Sequence, residues 1–112
     1  MKIYCQLKGS KFCEGQGLLR KLVSDGQPIQ PSNLYLVRDH NCIQDSNCVQ
    51  VRYQNNDANI KLGNVNKENA PLIAYCMDKG GTAKIISLNL YGSVDTNIGL
   101  YFMVDTTTHK TN

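Results

Sequence analysis

The stretch LYLVRDHNCIQDSNCVQV, residues 34–51, predicts how the chain is organised around it. Leu34 to Val37 and Val49 to Val51 are apolar runs with β-branched residues, which are typical of buried strands. Residues 38–48 lie between them and are rich in Asp, Asn and Gln. Such residues form tight turns, and the same groups also bind polar ligands. The stretch therefore predicts two neighbouring strands joined by a polar loop.

Apolar and polar residues alternate, or form short apolar runs, on both sides of this stretch. These patterns predict six strands, at residues 3–7, 34–38, 48–53, 60–65, 83–91 and 99–104. Residues 54–59, QNNDAN, are a turn cluster between the third and fourth strands. The order of strands, helix and further strands predicts a mainly β domain with one or two helices. We expect a small six-stranded β-barrel of the OB-like or SH3-like kind.

The helical signal is strongest at residues 72–77. Leu72, Ile73, Cys76 and Met77 fall on one helical face, and Pro71 fits only in a first turn. Gly80 and Gly81 predict where this helix ends. Residues 17–23 predict a second short helix or an irregular turn. We expect one domain over residues 1–105 and a flexible C-terminal tail at 106–112.

The length, charge and cysteine content of the chain indicate the cellular compartment in which the protein is expected. The chain has 112 residues and a net charge of +3, and its longest apolar run, residues 72–77, is far shorter than a membrane span of roughly 18 residues. Residues 1–30 lack a secretory signal. Five cysteines, an odd number, favour a reducing compartment. We therefore expect an intracellular protein without a membrane partner, nuclear in a eukaryote or cytoplasmic in a bacterium or phage.

The sequence gives little support to a metal site or a catalytic site. His40, Cys42 and Cys48 lie close together, but no Cys-x-x-Cys pair supports a zinc site. Cys5, Cys48 and Cys76 fit small core positions better. Phosphate-binding loops of the Walker or Rossmann kind and a nucleophile elbow are absent from the sequence. The sequence thus predicts no metal, no cofactor, no catalytic residues and no enzymatic activity.

The charges of the N-terminal segment and of the polar loop leave two interpretations open. Residues 1–21 carry five basic side chains against Glu14 alone, so they could form a basic edge that contacts phosphates, or simply a solvated surface that bears lysines. Asn41, Asp45 and Asn47 could shape the loop by bonding local backbone, or could contact a ligand. Asp39 and Asp45 are close to Arg38 in sequence, and ion pairs with it are expected.

Four segments together resemble the HIRAN domain family. LVRDHNCIQDSNCVQV is similar to the family's strand ending in Arg-Asp, its Asp-x-Asn loop and the next strand. LKGSKFCEGQ is similar to the opening Gly-x-x-aromatic segment. KLGNVNKENAPLIAYCMDKG and AKIISLNLYG are similar to the strand, helix and strand that follow. The resemblance covers residues 3–104, and it fits a free-standing member or a domain excised from a larger protein.

The resemblance implies an OB-like barrel that binds single-stranded DNA and captures its free 3′-hydroxyl end. When the family's residues are carried over by position, Lys11 contacts a phosphate, Phe12 contacts a base and Asp45 contacts the 3′-hydroxyl. The other implied DNA-binding residues are Asn41 and Cys42 in the loop lining the end pocket, Asn47 in the Asp-x-Asn signature, and Asn64 as a phosphate contact.

The sequence departs from the family at the pocket. Phe12 is followed by Cys13 instead of a second aromatic, and Ile43 and Gln44 replace Pro and Tyr. Asn64 stands where a histidine is expected, and the later loop, SVDTNIG, offers only Asn97 or Ile98 in place of an aromatic. These departures predict weaker binding of DNA. They also support an alternative: a protein-interaction module on the same fold, such as a phage-borne inhibitor of a nucleic-acid enzyme.

Overall fold

The computed structural model describes residues 1–43, 45–56 and 58–108. The strands are β1 (Lys2–Lys8), β2 (Leu34–Arg38), β3 (Val49–Asn55), β4 (Ala58–Val65), β5 (Thr82–Gly92) and β6 (Ile98–Thr107). The α-helices are α1 (Gly15–Ser24) and α2 (Ala70–Asp78), and short 3-10 turns occupy Ser10–Phe12 and Pro31–Asn33. None of the helices in the described ranges has the length and apolar character needed to span a membrane.

The strands form one curled antiparallel sheet in the order β2-β3-β4-β1-β6-β5. The edge strands β2 and β5 approach one another, which gives a half-barrel. Alternating residues face the interior, where Val49, Val51 and Phe102 are almost fully buried. The predicted mainly β, OB-like barrel is confirmed.

The two helices cover the core. α1 buries Leu19 and Leu22, so residues 17–23 belong to a regular helix and not to an irregular turn. This helix begins at Gly15, which lies against the backbone of Leu62, where a Cβ atom would overlap the carbonyl. α2 begins just before Pro71, as predicted.

The C-terminal strand is longer than the sequence predicted. β6 continues to Thr107, and Thr106 is buried. The Thr106 N–H donates to the Met1 carbonyl at 2.8 Å, because β1 and β6 are neighbours. The predicted start of the tail at residue 106 is therefore wrong for residues 106 and 107. Residues 109–112 lie outside the described ranges.

Candidate nucleic-acid interface

A cleft of about 770 Å³ opens between the turn after β1, the loop that joins β2 to β3, and strand β4. It is lined by Lys8, Gly9, Phe12, Cys13, Cys42, Asp45, Cys48, Lys61, Asn64, Val65, Lys67 and Glu68. We refer to this cavity and its lining residues as the cleft. It combines an aromatic ring, basic side chains and two carboxylates on one concave surface.

Phe12 is the aromatic of the cleft, and 92% of it is exposed. A turn fixes its backbone, because the Phe12 N–H donates to the Gly9 carbonyl at 3.0 Å and Gly9 has a φ of +77°. The buried Gln16 side chain anchors the same turn. It donates to Ser10 Oγ at 3.0 Å and pairs with both backbone groups of Ile98, at 2.6 and 2.9 Å. The exposed ring is thus held on a well-anchored support.

The polar loop is shaped by two side chains that accept hydrogen bonds from nearby backbone. Asp39 Oδ1 accepts the Asn41 N–H at 3.0 Å, and Asp45 Oδ1 accepts the Asn47 N–H at 2.9 Å. The hydrogen bond from Gln50 to Asp39, and then the Asn41 N–H, lower the pKa of Asp39. Asp45 shapes the loop and also lines the cleft, and a carboxylate has acceptor capacity beyond one bond.

The expected pairing of Asp39 and Asp45 with Arg38 is wrong. Arg38 forms its ion pair with Asp78, at the end of α2. Sequence proximity misled the prediction, because Asp78 lies 40 residues further along the chain and is brought close by folding. The same guanidinium donates to loop carbonyls, which are those of Asp39, Ser46 and Cys48.

Three lysines line the cleft: Lys8, which belongs to the predicted basic edge of residues 1–21, and Lys61 and Lys67, which were not predicted from the sequence. They outnumber the cleft carboxylates of Asp45 and Glu68, so the cleft has a positive balance. Lys8 carries a weak signal in sequence, because it falls on the polar side of the alternating β1 pattern. Nothing in the sequence shows that the three lysines converge.

Cysteines occupy part of the cleft wall. The donor atoms of Asp39, Cys42 and Cys48 lie within 4.8 Å of one another, whereas His40 is beside Asp78, with 3.7 Å between Nε2 and Oδ1. Both Asp39 oxygens already accept hydrogen bonds. Burial, and then a hydrogen bond with Cys42, raise the pKa of Cys48 to about 12. Metals bind thiolates, so the raised pKa of Cys48 disfavours this thiol as a metal ligand.

The predicted core cysteines are confirmed. Cys5, Cys48 and Cys76 are buried, and burial raises the pKa of Cys5 to about 11. Cys13 and Cys42 are half-buried and line the cleft.

The seven implied DNA-binding residues divide into two groups. Phe12, Cys42, Asp45 and Asn64 come together in the cleft. The others lie beside it: Lys11 is exposed next to Phe12, Asn41 is exposed in the loop, and Asn47 is half-buried there.

The later loop, between β5 and β6, does not supply a wall of the cleft. Ile98 is buried, and Asn97 Oδ1 accepts a hydrogen bond from Arg20 at 2.9 Å. Arg20 also donates to the carbonyl of Thr96. Arg20 therefore anchors a loop and does not join the lysines of the cleft.

The curled six-stranded sheet and its two helices have the fold of a HIRAN domain. The HIRAN domain of human HLTF superposes with a TM-score of 0.54 at 19% identity, over 91% of this chain and 74% of that one. A protein from Lactobacillus plantarum, solved by a structural genomics consortium, superposes with a TM-score of 0.62 at 15% identity, over 92% of this chain and 96% of that one. No family model and no curated protein matches by sequence. The likeness confirms the resemblance to HIRAN at the level of the fold.

Proposed function

We propose that this protein is a DNA-binding module that holds single-stranded DNA in the cleft, prefers a free 3′-hydroxyl end and performs no catalysis. The observation that carries the proposal is the exposed Phe12 ring beside Lys8, Lys61 and Lys67 on one concave surface. The likeness to the HIRAN domain of HLTF supports it.

Stacking and charge supply two separate contributions to binding. A base stacked on an aromatic side chain contributes about 1–3 kcal/mol, largely independent of sequence. Lysines that neutralise phosphates release counterions, so binding weakens as salt rises, with a slope of about −0.7 per phosphate for single strands. We expect modest affinity, because Phe12 is followed by Cys13 and offers a single ring at this position.

Asp45 supplies the proposed preference for the end. Its carboxylate accepts a hydrogen bond from a terminal hydroxyl, whereas a terminal phosphate places like charges close together. The Asn47 N–H holds Asp45 in place at 2.9 Å, so little ordering is needed on binding.

Fluorescence anisotropy with a labelled single strand tests the proposal. Strands with a 3′-hydroxyl, a 3′-phosphate and a hairpin-blocked end are compared at low and moderate salt. We expect the free hydroxyl to bind most tightly, and Asp45→Ala to remove this difference while retaining salt-dependent binding. Equal affinity for the three ends contradicts the end preference. Failure to bind any strand at low salt contradicts the DNA-binding proposal.

A protein-interaction module is the second candidate, and the outer face of α2 favours it. Leu72 is 51% exposed and Tyr75 is 66% exposed on this face. In this case the protein inhibits a nucleic-acid enzyme, and Leu72→Lys abolishes the inhibition while Phe12→Ala leaves it unchanged. Inhibition of a nuclease at protein concentrations that bind no DNA is the result that supports this candidate.

A further inference from the structure

Three tyrosines, none of which lines the cleft, form a row across the outer face of β1, β6 and β5. The ring centroids of Tyr4 and Tyr101 are 5.6 Å apart with 16° between planes, and those of Tyr101 and Tyr91 are 4.8 Å apart with 30°. We call these residues the tyrosine row. Tyr4 is 55% exposed and Tyr91 is 43% exposed, so the row presents aromatic surface to solvent.

Neighbouring residues hold the tyrosine row in one arrangement. Gly99 is paired with Tyr91 across β5 and β6, and a Cβ atom there would overlap the Tyr91 ring. The ring therefore lies against the sheet where a larger residue would push it away. Gln6 Nε2 donates to the hydroxyl of Tyr91 at 2.9 Å and to that of Tyr101 at 3.5 Å. Such preorganisation lowers the entropy cost of binding a ligand.

The tyrosine row is continuous with the cleft along β1. Residues 2, 4, 6 and 8 share the outward side of this strand, because side chains alternate and residues 3, 5 and 7 are buried. Lys8 lines the cleft, and Gln6 contacts the row. Gln6 and Lys8 are two residues apart on β1, which corresponds to roughly 7 Å along the strand. The tyrosine row therefore begins within a nucleotide or two of the cleft.

The basic side chains around the tyrosine row favour binding of the phosphate backbone of a nucleic acid. Lys2 and Lys84 are exposed and both pair with Asp105 in the sheet register, and Lys8 lies at the other end. The Asp105 carboxylate is 3.6 Å from the N-terminal ammonium of Met1, which further offsets its charge. Exposed aromatic rings flanked by basic side chains are the arrangement with which proteins bind single strands without reading sequence.

We propose that the tyrosine row is a second binding site for the same nucleic-acid strand, next to the proposed site in the cleft. Bases beyond the captured end stack on the exposed tyrosine rings, and their phosphates meet Lys8, Lys2 and Lys84. This inference rests on the proposed function, and it predicts a binding site several nucleotides longer than the cleft alone.

The test compares a tetranucleotide with a dodecanucleotide, both of thymidine, by chemical-shift titration of the full chain. We expect the longer strand to bind at least tenfold more tightly. Tyr91→Ala and Tyr4→Ala should weaken binding of the dodecanucleotide by roughly tenfold, in line with the stacking contribution of one base, and leave the tetranucleotide unchanged. Tyr75→Ala, an exposed tyrosine on α2, is the matched control, and Tyr101→Phe should retain binding because it retains the ring.

The outcomes separate the two sites. If the tyrosine variants bind the dodecanucleotide as the parent does while Lys61→Ala weakens both strands, the inference is overturned and the cleft proposal stands. If the tyrosine variants weaken the dodecanucleotide while Phe12→Ala and Lys61→Ala change neither affinity, the row binds DNA and the cleft proposal fails. Equal affinity of the parent protein for both lengths also overturns the inference. Melting temperatures measured for each variant separate loss of binding from loss of folding.

Discussion

Arg38 Nε lies 3.1 Å from Asp78 Oδ1, and this contact joins the polar loop to the end of α2. The Arg38 side chain is only 12% exposed. Its other nitrogens donate to the carbonyls of Ser46, at 2.6 Å, and Cys48, at 3.0 Å. One guanidinium therefore fixes the backbone of the loop that carries Asp45.

Arg38→Ala should destabilise the protein by about 2–3 kcal/mol, because hydrogen bonds to charged groups contribute about 1.5–3 kcal/mol and loop carbonyls lose their donor. Arg38→Lys should not restore the loss, because lysine lacks the planar fork of donors. Urea unfolding measures both variants. A change within about 0.5 kcal/mol, the range of ordinary surface substitutions, would contradict this role. Lys79→Ala, beside Asp78, is a suitable surface control.

The stability of the protein should depend on pH through Asp39. Its hydrogen bond from Gln50, and then the Asn41 N–H, lower its pKa below the ordinary value of 3.8. The unfolded chain thus binds this proton more readily than the folded protein, so the stabilisation is present above pH 3.8 and is lost as pH falls through the folded-state pKa. As the pH is lowered below about 4, the urea midpoint of Asp39→Asn should decline less than that of the parent protein. Parallel curves for the two proteins would contradict the assignment.

Alkylation of the cysteines should report on occupancy of the cleft. Cys13 and Cys42 are half-buried in its wall, whereas Cys5 and Cys76 are buried elsewhere. A maleimide should modify Cys13 and Cys42 first, and a bound single strand should slow that reaction severalfold. Peptide mass spectrometry measures each site, with Cys5 and Cys76 as internal controls. Modification rates that do not change with DNA would contradict binding in the cleft.

The cleft lysines should account for part of the salt dependence of binding. Lys61→Ala should weaken binding of all strands and reduce the slope of log K against log salt by about 0.7, because one phosphate contact is lost. Lys21→Ala is the matched control, because Lys21 is exposed on α1 and does not line the cleft. Anisotropy titrations over a range of salt concentrations give both slopes. Identical slopes for Lys61→Ala and Lys21→Ala would remove Lys61 from the interface.

The sequence predicted the strands and helices well, because the signals for these elements lie in residues that are close together along the chain. Alternation of apolar and polar residues predicted β1, and the position of Pro71 predicted the start of α2. The resemblance led to Phe12 and Asp45, and both line the cleft.

The sequence did not reveal relationships that arise from sheet order. Arg38 and Asp78 are brought together by packing of α2, and the tyrosine row depends on β1 and β5 both pairing with β6. Convergence of Lys8 and Lys61 likewise depends on the pairing of β1 with β4, which no local pattern encodes.

A two-dimensional amide correlation spectrum, recorded with and without a 3′-hydroxyl dodecanucleotide at low salt, shows whether single-stranded DNA binds in the cleft. Binding in the cleft should shift the amides of Gly9, Phe12 and Asn64 and should leave those of Leu72 and Tyr75, on the outer face of α2, unshifted. Shifts confined to α2, or an unchanged spectrum, would contradict the claim that the cleft binds DNA.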